Sequence, residues 1–325
     1  MRWSAVRHVR LLAGLALVCS TGCQTVGLRF LNLIGLEKKP LSLVLVLENR
    51  PSEAAQVLNP FKPYGPLQKA MAAKLGRPVS VDPCFDFQLQ SGLDSGWHDL
   101  AIVTPAQYAR LKDTSRYKVL AVPLDERGRA ARCAVLVVPA TSKINAVEEL
   151  RGKVVAFGPH DDARTHHAAV QLLAQAGLKK TDLSLEVLPI PGSLKHMPHA
   201  RAIAQTVMSG SAHAGFIDEA AWEAFPEHAE KEGDPAREEL REIGRTVALP
   251  TRLVIASPSL KPAAAAEVER FLVAVGKTEP EVLEALRVSG YRVPDADLIS
   301  SCGKLMASES SGKPRKQPDN GENSG

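Results

Sequence analysis

The stretch VVAFGPHDDARTHHAAVQLLAQAGL, residues Val154–Leu178, has the pattern of a buried strand followed at once by a helix. Its apolar start is short enough for a strand, and Gly158-Pro159 interrupts it. Apolar residues then recur at helical spacing until Gly177, a residue type that commonly ends helices. A strand joined to a helix by one short turn is the building unit of α/β folds.

The same unit recurs along the chain. Apolar runs typical of buried strands begin at Leu41, Ala134 and Leu253, with predicted helices between the strands. This alternation predicts an α/β fold with parallel or mixed sheets that are covered by helices on both faces.

Two distant segments share one pattern, which indicates an internal repeat. SGWHDLAIVTPAQY (Ser95–Tyr108) aligns without a gap on SGSAHAGFIDEAAW (Ser209–Trp222). Duplicated units predict two similar lobes with a crevice between them. Ligands of open α/β sheets bind beyond the C-terminal ends of strands, where helices begin. We therefore expect three turns to line the crevice: Thr104-Pro105, residues 158–164 and Asp218-Glu219.

The N-terminal segment, residues 1–22, has the features of an export signal. It carries arginines and no acids, and an apolar run from Leu11 to Val18 that is too short to span a bilayer. The segment ends in STGC, which resembles a bacterial lipoprotein signal and predicts lipidation of Cys23. Plain secretion with a free Cys23 is the alternative. Residues 23–40 are then a tether, and residues 306–325, rich in Ser, Gly, Pro, Lys and Asn, are predicted to be a disordered tail.

Composition narrows the possible partners. The signal holds three arginines, so the formal net charge of +4 falls to about +1 without it. No basic stripe with interleaved aromatics is present, and we expect no nucleic-acid partner. Three cysteines remain after export: Cys84, Cys133 and Cys302. One pair among them can be bridged, but the pairing does not follow from the sequence, and small buried apolar side chains are the simpler interpretation.

The order of these segments resembles the phosphate/phosphite/phosphonate substrate-binding proteins of ABC transporters. The matching stretches are WHDLAIVTPAQY, CAVLVVPATSKINAVEELRGKVVAFG, the strand–turn–helix described first, SGSAHAGFIDEAAW and LPTRLVIASPSLKP. The resemblance implies a two-lobed type II periplasmic-binding-protein fold with a hinge. In such a fold, residues 41–133 and 253–305 are expected to form lobe 1, and residues 134–252 are expected to form lobe 2. It also implies a permease partner and a location in the cell envelope, outside the cytoplasm.

The resemblance also implies positions for ligand contacts. The tyrosine that follows the first turn, Thr104-Pro105, corresponds to Tyr108. The Ser/Thr-rich anion turn of the family falls on Asp162-Ala163-Arg164, where its hydroxyls are absent. A ligand-facing histidine corresponds to His196 or His199. The resemblance implies two further ligand contacts. One is an acidic residue at Asp218 or Glu219, and the other lies near Arg252, where some members of the family have an acid instead of an arginine.

An aspartate in an anion-binding turn needs an explanation. A helix N-terminus offers N–H groups and partial positive charge to a phosphate, but an Asp cap satisfies those donors itself. A carboxylate and a phosphoryl anion about 4 Å apart repel each other by about 4 kcal/mol at an effective dielectric constant of about 20. Three interpretations remain: a cap at Asp161 or Asp162 without ligand binding, an oxyanion site that uses Arg164 and histidines, or a metal site. The metal site, made of His160, Asp162, His166 and His167, is disfavoured because adjacent helical residues diverge.

These observations favour a lipid-anchored, monomeric solute-binding protein without cofactor or metal, which captures a small oxyanion in the crevice by hinge closure. The expected ligand contacts are Thr104, Tyr108, Asp162, Arg164, His196, Asp218, Glu219 and Arg252. The alternative is a domain of the same fold that acts as a sensor or scaffold with altered or lost binding. An enzyme is disfavoured because no nucleophile elbow or Ser/His/Asp arrangement is present in the sequence.

Overall fold

The computed structural model of the chain describes residues 39–46, 62–186, 192–229 and 234–306. The predicted signal peptide, the lipidation site at Cys23, most of the tether and nearly all of the predicted tail lie outside these residues. Within the described ranges, no helix combines the length and the apolar character needed to cross a membrane.

Strands and helices alternate along the described chain, as the sequence predicts. The strands are β1 Leu41–Val46, β2 Val79–Cys84, β3 Leu100–Val103, β4 Lys118–Leu124, β5 Ala134–Pro139, β6 Val155–Phe157, β7 Lys195–His196, β8 Ala214–Asp218, β9 Leu240–Arg245, β10 Leu253–Ala256 and β11 Gly290–Arg292. The α-helices are α1 Gly65–Leu75, α2 Asp86–Asp94, α3 Pro105–Ala109, α4 Ala169–Gln175, α5 Ala200–Met208, α6 Glu219–Ala224, α7 Pro262–Thr278, α8 Pro280–Leu286 and α9 Ala296–Gly303. A π-helical turn, Ala163–Ala168, leads directly into α4.

The strands form two separate sheets. The six-stranded sheet has the order β11-β4-β10-β3-β1-β2, and we name it with its covering helices lobe 1. The five-stranded sheet has the order β7-β6-β8-β5-β9, and we name it with its helices lobe 2. Each sheet has a buried apolar cluster on each face, which is the layered α/β architecture expected from the alternation of elements.

Both sheets are mixed, and in each the strand that follows a crossing between the lobes runs antiparallel to both of its neighbours. In lobe 1, β1 pairs in parallel with β2 and β3, whereas β10 runs antiparallel to β3 and β4. In lobe 2, β6 and β8 are parallel and β5 is antiparallel to β8. The strands β5 and β10 are the first strands after each crossing between the lobes.

The two crossing segments, residues 125–133 and 246–252, lie side by side. The amide of Arg132 donates to the carbonyl of Leu249 at 3.0 Å, and the amide of Leu249 donates back to Arg132 at 2.8 Å. These two segments are the connections between the sheets, and we refer to them together as the hinge.

The internal repeat corresponds to one β–turn–α unit in each lobe. Ser95–Tyr108 contains β3 and most of α3, and Ser209–Trp222 contains β8 and the start of α6. Thr104 and Asp218 occupy the same position in the two units, and each caps its helix through its side chain. The units differ in packing, since Tyr108 is buried and Trp222 is half-buried.

The three described cysteines are buried free thiols. Burial raises the pKa of all three, that of Cys302 to about 12. They therefore pack as small apolar side chains.

Candidate functional site

The first of the three predicted turns is closed by hydrogen bonds of its own. The Thr104 hydroxyl accepts from the amide of Gln107 at 3.1 Å, and the Gln107 side-chain oxygen accepts from the amide of Thr104 at 2.8 Å. This reciprocal capping box satisfies donors at the start of α3 that a ligand would otherwise meet.

Tyr108 lies in the core of lobe 1 rather than on the wall of the crevice. Its side chain is 2% exposed, and its hydroxyl donates to the carbonyl of Thr114 at 3.2 Å. Burial raises the pKa of this phenol. In this structure Tyr108 acts as a packing residue, and its expected contact with a ligand stays a prediction.

The second turn is capped by its own aspartate. One carboxylate oxygen of Asp162 accepts from the amides of Arg164 and Thr165 at 3.0 and 2.9 Å. Gly158 allows this close turn, because a Cβ there would lie 1.9 Å from the Thr165 hydroxyl. The geometry is that of an N-cap, in which a carboxylate of the protein takes the backbone donors that the resemblance implies for an anion.

Arg164 and Asp218, which belong to different turns, are brought together. The Arg164 guanidinium donates to the carboxylate of Asp218 at 2.7 Å, and the Arg164 side chain is only 12% exposed. Asp218 also accepts from the amide of Ala220 at 3.0 Å and lies 3.6 Å from the guanidinium of Arg132 in the crossing segment. The carboxylate thus connects lobe 2 to the hinge.

Glu219 belongs to a second charge network beside the hinge. Its carboxylate accepts from Arg245 at 2.6 Å and lies 3.7 Å from Arg129. Arg129 also donates to Asp125 at 3.0 Å and to Glu223 at 2.8 Å. The hydrogen bond with Glu223 is the main cause that raises the pKa of Arg129. These contacts tie α6 of lobe 2 to the segment that leaves β4.

His196 belongs to a cluster of imidazoles on lobe 2. Its Nε2 lies 3.0 Å from Nδ1 of His166, and the ring of His160 stacks on that of His166 with centroids 4.7 Å apart. Burial, and then the neighbouring histidines, lower the pKa of His166 to about 2. Burial also lowers the pKa of His196. Both rings are therefore neutral near pH 7 and supply hydrogen bonds rather than positive charge.

The metal interpretation of this turn finds no support in the geometry. Across the described ranges, no group of three or more His, Cys, Asp or Glu side chains is arranged to hold a metal ion. His199, the alternative to His196, caps α5 by accepting from the amide of Ala202 at 3.1 Å.

Lobe 1 and lobe 2 touch directly beside the second turn. Arg110, just after α3, donates to Asp86 at 3.0 Å and to Asp161 of lobe 2 at 3.2 Å. Ala163 and Ala168 are buried in the apolar cluster of lobe 1. Neither Arg110 nor Asp86 was expected from the sequence. Asp86 begins α2 soon after β2, where a crevice residue is expected, whereas Arg110 follows the C-terminal end of α3.

A cavity of about 540 Å³ lies on the hinge side of these contacts and is bounded by both lobes. Its basic lining residues are Arg127, Arg129, Arg132, Arg252 and Arg287. Of these, only Arg252 was expected to meet a ligand. The others lie in the crossing segment and at the end of α8, far apart in sequence, and no local motif links them.

Comparisons with known proteins agree with this architecture. The family model described as ABC transporter, phosphonate, periplasmic substrate-binding protein matches residues 51–298. A Xanthomonas citri protein bound to ATP shares the fold with a TM-score of 0.60 and 17% identity, over 84% of this chain and 98% of its own. PhnD1 of Prochlorococcus marinus, in complex with methylphosphonate, has a TM-score of 0.55 and 14% identity over 84% of this chain and 98% of its own.

A binding protein component of an ABC phosphonate transporter from Pseudomonas aeruginosa has a TM-score of 0.52 and 15% identity, over 83% of this chain and 87% of its own. The family model spans most of the chain, and the structures share its two-sheet architecture. This chain therefore belongs to the periplasmic substrate-binding proteins of phosphonate ABC transporters, an extracytoplasmic family with the type II periplasmic-binding-protein fold.

Proposed function

We propose that this protein is a lipid-anchored receptor of an ABC uptake system, and that it captures a small oxyanion of the phosphate, phosphite or phosphonate class between its lobes. Residues 41–133 with 253–305, and residues 134–252, are the two bodies that move. Cys23 carries the anchor, and the closed form docks on a membrane permease.

The observation that carries this proposal is the arginine-lined cavity between the lobes. Ala220 and Ala224 of α6 face it from lobe 2, and Val254 and Tyr291 face it from lobe 1. A ligand that contacts both walls stabilises the closed arrangement over the open one, which is how hinge closure is coupled to binding. Guanidinium groups suit an oxyanion because their planar donors bind two oxygens at once.

The experiment measures binding and closure together. Calorimetry with phosphate, phosphite and methylphosphonate reports the heat of binding. Spin labels at Lys69 in lobe 1 and Gln175 in lobe 2, both exposed, report the distance between the lobes by electron double resonance. We expect at least one anion to give heat and to narrow the distance distribution. Arg252→Ala is expected to weaken the binding of that anion by about tenfold or more. Arg270→Ala, on the exposed side of α7, is the matched control.

A sensor or scaffold that does not capture solutes is the second candidate, and one observation favours it. Asp162 already occupies the amides of the family's anion turn, and Arg164 is held by Asp218. A scaffold gives no heat and no change in lobe distance with any anion of the panel, whereas a receptor gives both.

A further inference from the structure

Arg287 has a backbone conformation that its side chain disfavours. It ends α8 with φ 52° and ψ 50°, in the left-handed region, and it is the only non-glycine residue with positive φ in the described part of the chain. Gly76 ends α1 with nearly the same angles, φ 56° and ψ 35°. Glycine is the usual residue at this position because it has no Cβ to clash. An arginine kept there points to a role for its side chain.

That position faces the cavity between the lobes. Arg287 lines it together with Leu286 and Val288, and Arg252 lines it from the start of β10. Within the described residues, Arg287 has no ion-pair partner. Arg127, Arg129 and Arg132, in contrast, are paired with carboxylates of Glu223, Asp125 and Asp218. Arg287 therefore adds a guanidinium without an ion pair to a cavity that is lined by five arginines and by the two acids Asp125 and Glu126.

The size and the walls of the cavity indicate more than an inorganic ion. A volume of about 540 Å³ lies in the range of sites for organic molecules. Free phosphate is comparable to two or three water molecules of about 30 Å³ each, and it would leave most of the space unfilled. One wall is apolar or aromatic and suits a carbon-rich group: Tyr64, Ile102, Val254, Leu286, Val288 and Tyr291.

We propose that the ligand is an organic phosphate or phosphonate with a sizeable apolar or aromatic part, and that Arg287 is the residue that selects its anionic group. The anionic group meets Arg287 and Arg252, and the organic part lies on the tyrosine-bearing wall. The proposal rests on the proposed function and names the substrate class of the same cavity. The anion turn at Asp162 then takes no part in holding the phosphoryl group.

The test uses the full-length protein and three probes: phenyl phosphate, methylphosphonate and inorganic phosphate. We expect phenyl phosphate to bind at least about tenfold more tightly than inorganic phosphate. Arg287→Gly removes the charge and at the same time supplies the residue that the backbone prefers. It is expected to weaken phenyl phosphate binding by about tenfold to a hundredfold without lowering the melting temperature. Arg287→Lys, which keeps the charge, is expected to restore part of the affinity, and Arg270→Ala is expected to bind like the wild type.

Three results overturn the inference while leaving the proposed function intact. They are equal affinity for phenyl phosphate and inorganic phosphate, unchanged binding in Arg287→Gly, and a lower melting temperature in Arg287→Gly that accounts for its loss of binding. If no anion of either panel gives heat or changes the distance between the lobes, the proposed function and this inference both fail.

Discussion

At the scale of single residues, the turn at residues 158–164 shows how one side chain changes the use of a site. Ser or Thr hydroxyls at these positions leave backbone donors open to an anion, whereas Asp162 bonds to two of them itself. The sequence predicts a cap at this position. It does not say which amides the carboxylate reaches, or that Arg164 turns to Asp218, because both depend on how the helix enters the lobe.

Removing this cap is expected to destabilise the protein. Asp162→Ala leaves the amides of Arg164 and Thr165 without their acceptor, and loss of a helix cap costs about 1 kcal/mol of the free energy of unfolding. Asp162→Ser keeps an oxygen acceptor and is expected to lose only a fraction of that amount. Urea unfolding of both variants checks this, and a wild-type midpoint for Asp162→Ala would contradict the role assigned to the carboxylate.

At the scale of elements, the imidazoles of His166 and His196 make the region between the second turn and β7 sensitive to acid. The rings lie against each other and against Phe157, and the pKa of His166 is lowered to about 2, chiefly by burial. Lys180 also lies close enough to lower the pKa of His166 and His196, and Glu186 opposes it at His196. Protonation of His166 or His196 therefore opposes folding.

We expect the free energy of unfolding to fall as the pH drops below 6.5. Between pH 6.5 and about 2, the unfolded chain binds a proton at His166 that the folded chain excludes. Stability is therefore greatest above pH 6.5 and declines by up to about 1.4 kcal/mol per pH unit for this group. His166→Gln is expected to flatten the slope between pH 7 and 5, whereas Arg270→Ala, on the exposed side of α7, is expected to keep it. Denaturant titrations across this range measure the slope, and parallel curves for all three proteins would refute the assignment.

At the scale of the whole molecule, the contact between the lobes is mainly apolar beside the second turn and mainly charged beside the hinge. Ala163 and Ala168 are buried in the cluster of lobe 1, and Arg110 spans the same junction to reach Asp161. Exposed ion pairs contribute little to stability, so we attribute most of the adhesion to the buried alanines.

A charge placed at this contact is expected to open the molecule. In Ala163→Lys an ammonium group would have to lie inside the cluster of lobe 1, which is unfavourable without a partner, so the lobes separate instead. The distance between labels at Lys69 and Gln175 is expected to shift to longer values. Ala174→Lys, on the exposed side of α4, serves as the control. An unchanged distance in Ala163→Lys would show that this contact does not hold the lobes together.

The proposed lipid anchor at Cys23 belongs to the same scale, because it would determine the location of the whole molecule. If Cys23 is lipidated, the protein is expected in the membrane fraction of cells that express it, and Cys23→Ser is expected to be released or to remain uncleaved. Mass spectrometry of the mature N-terminus distinguishes a diacylated cysteine from simple secretion. A water-soluble wild-type protein without acyl chains would exclude the anchor.

The sequence by itself determined the α/β class and the two similar units, because apolar periodicity, glycine stops and helix caps are local signals. The family was indicated by the resemblance of whole segments in the same order. It also placed Thr104 and Asp218 correctly at the starts of helices, and it left the cap of the second turn to either Asp161 or Asp162. Only the tertiary structure decided that Tyr108 is buried, that Arg164 faces Asp218, and that arginines from the crossing segment and from α8 share one cavity with Arg252. These side-chain contacts depend on how the two sheets are oriented relative to each other across the hinge, and no short stretch of sequence encodes that orientation.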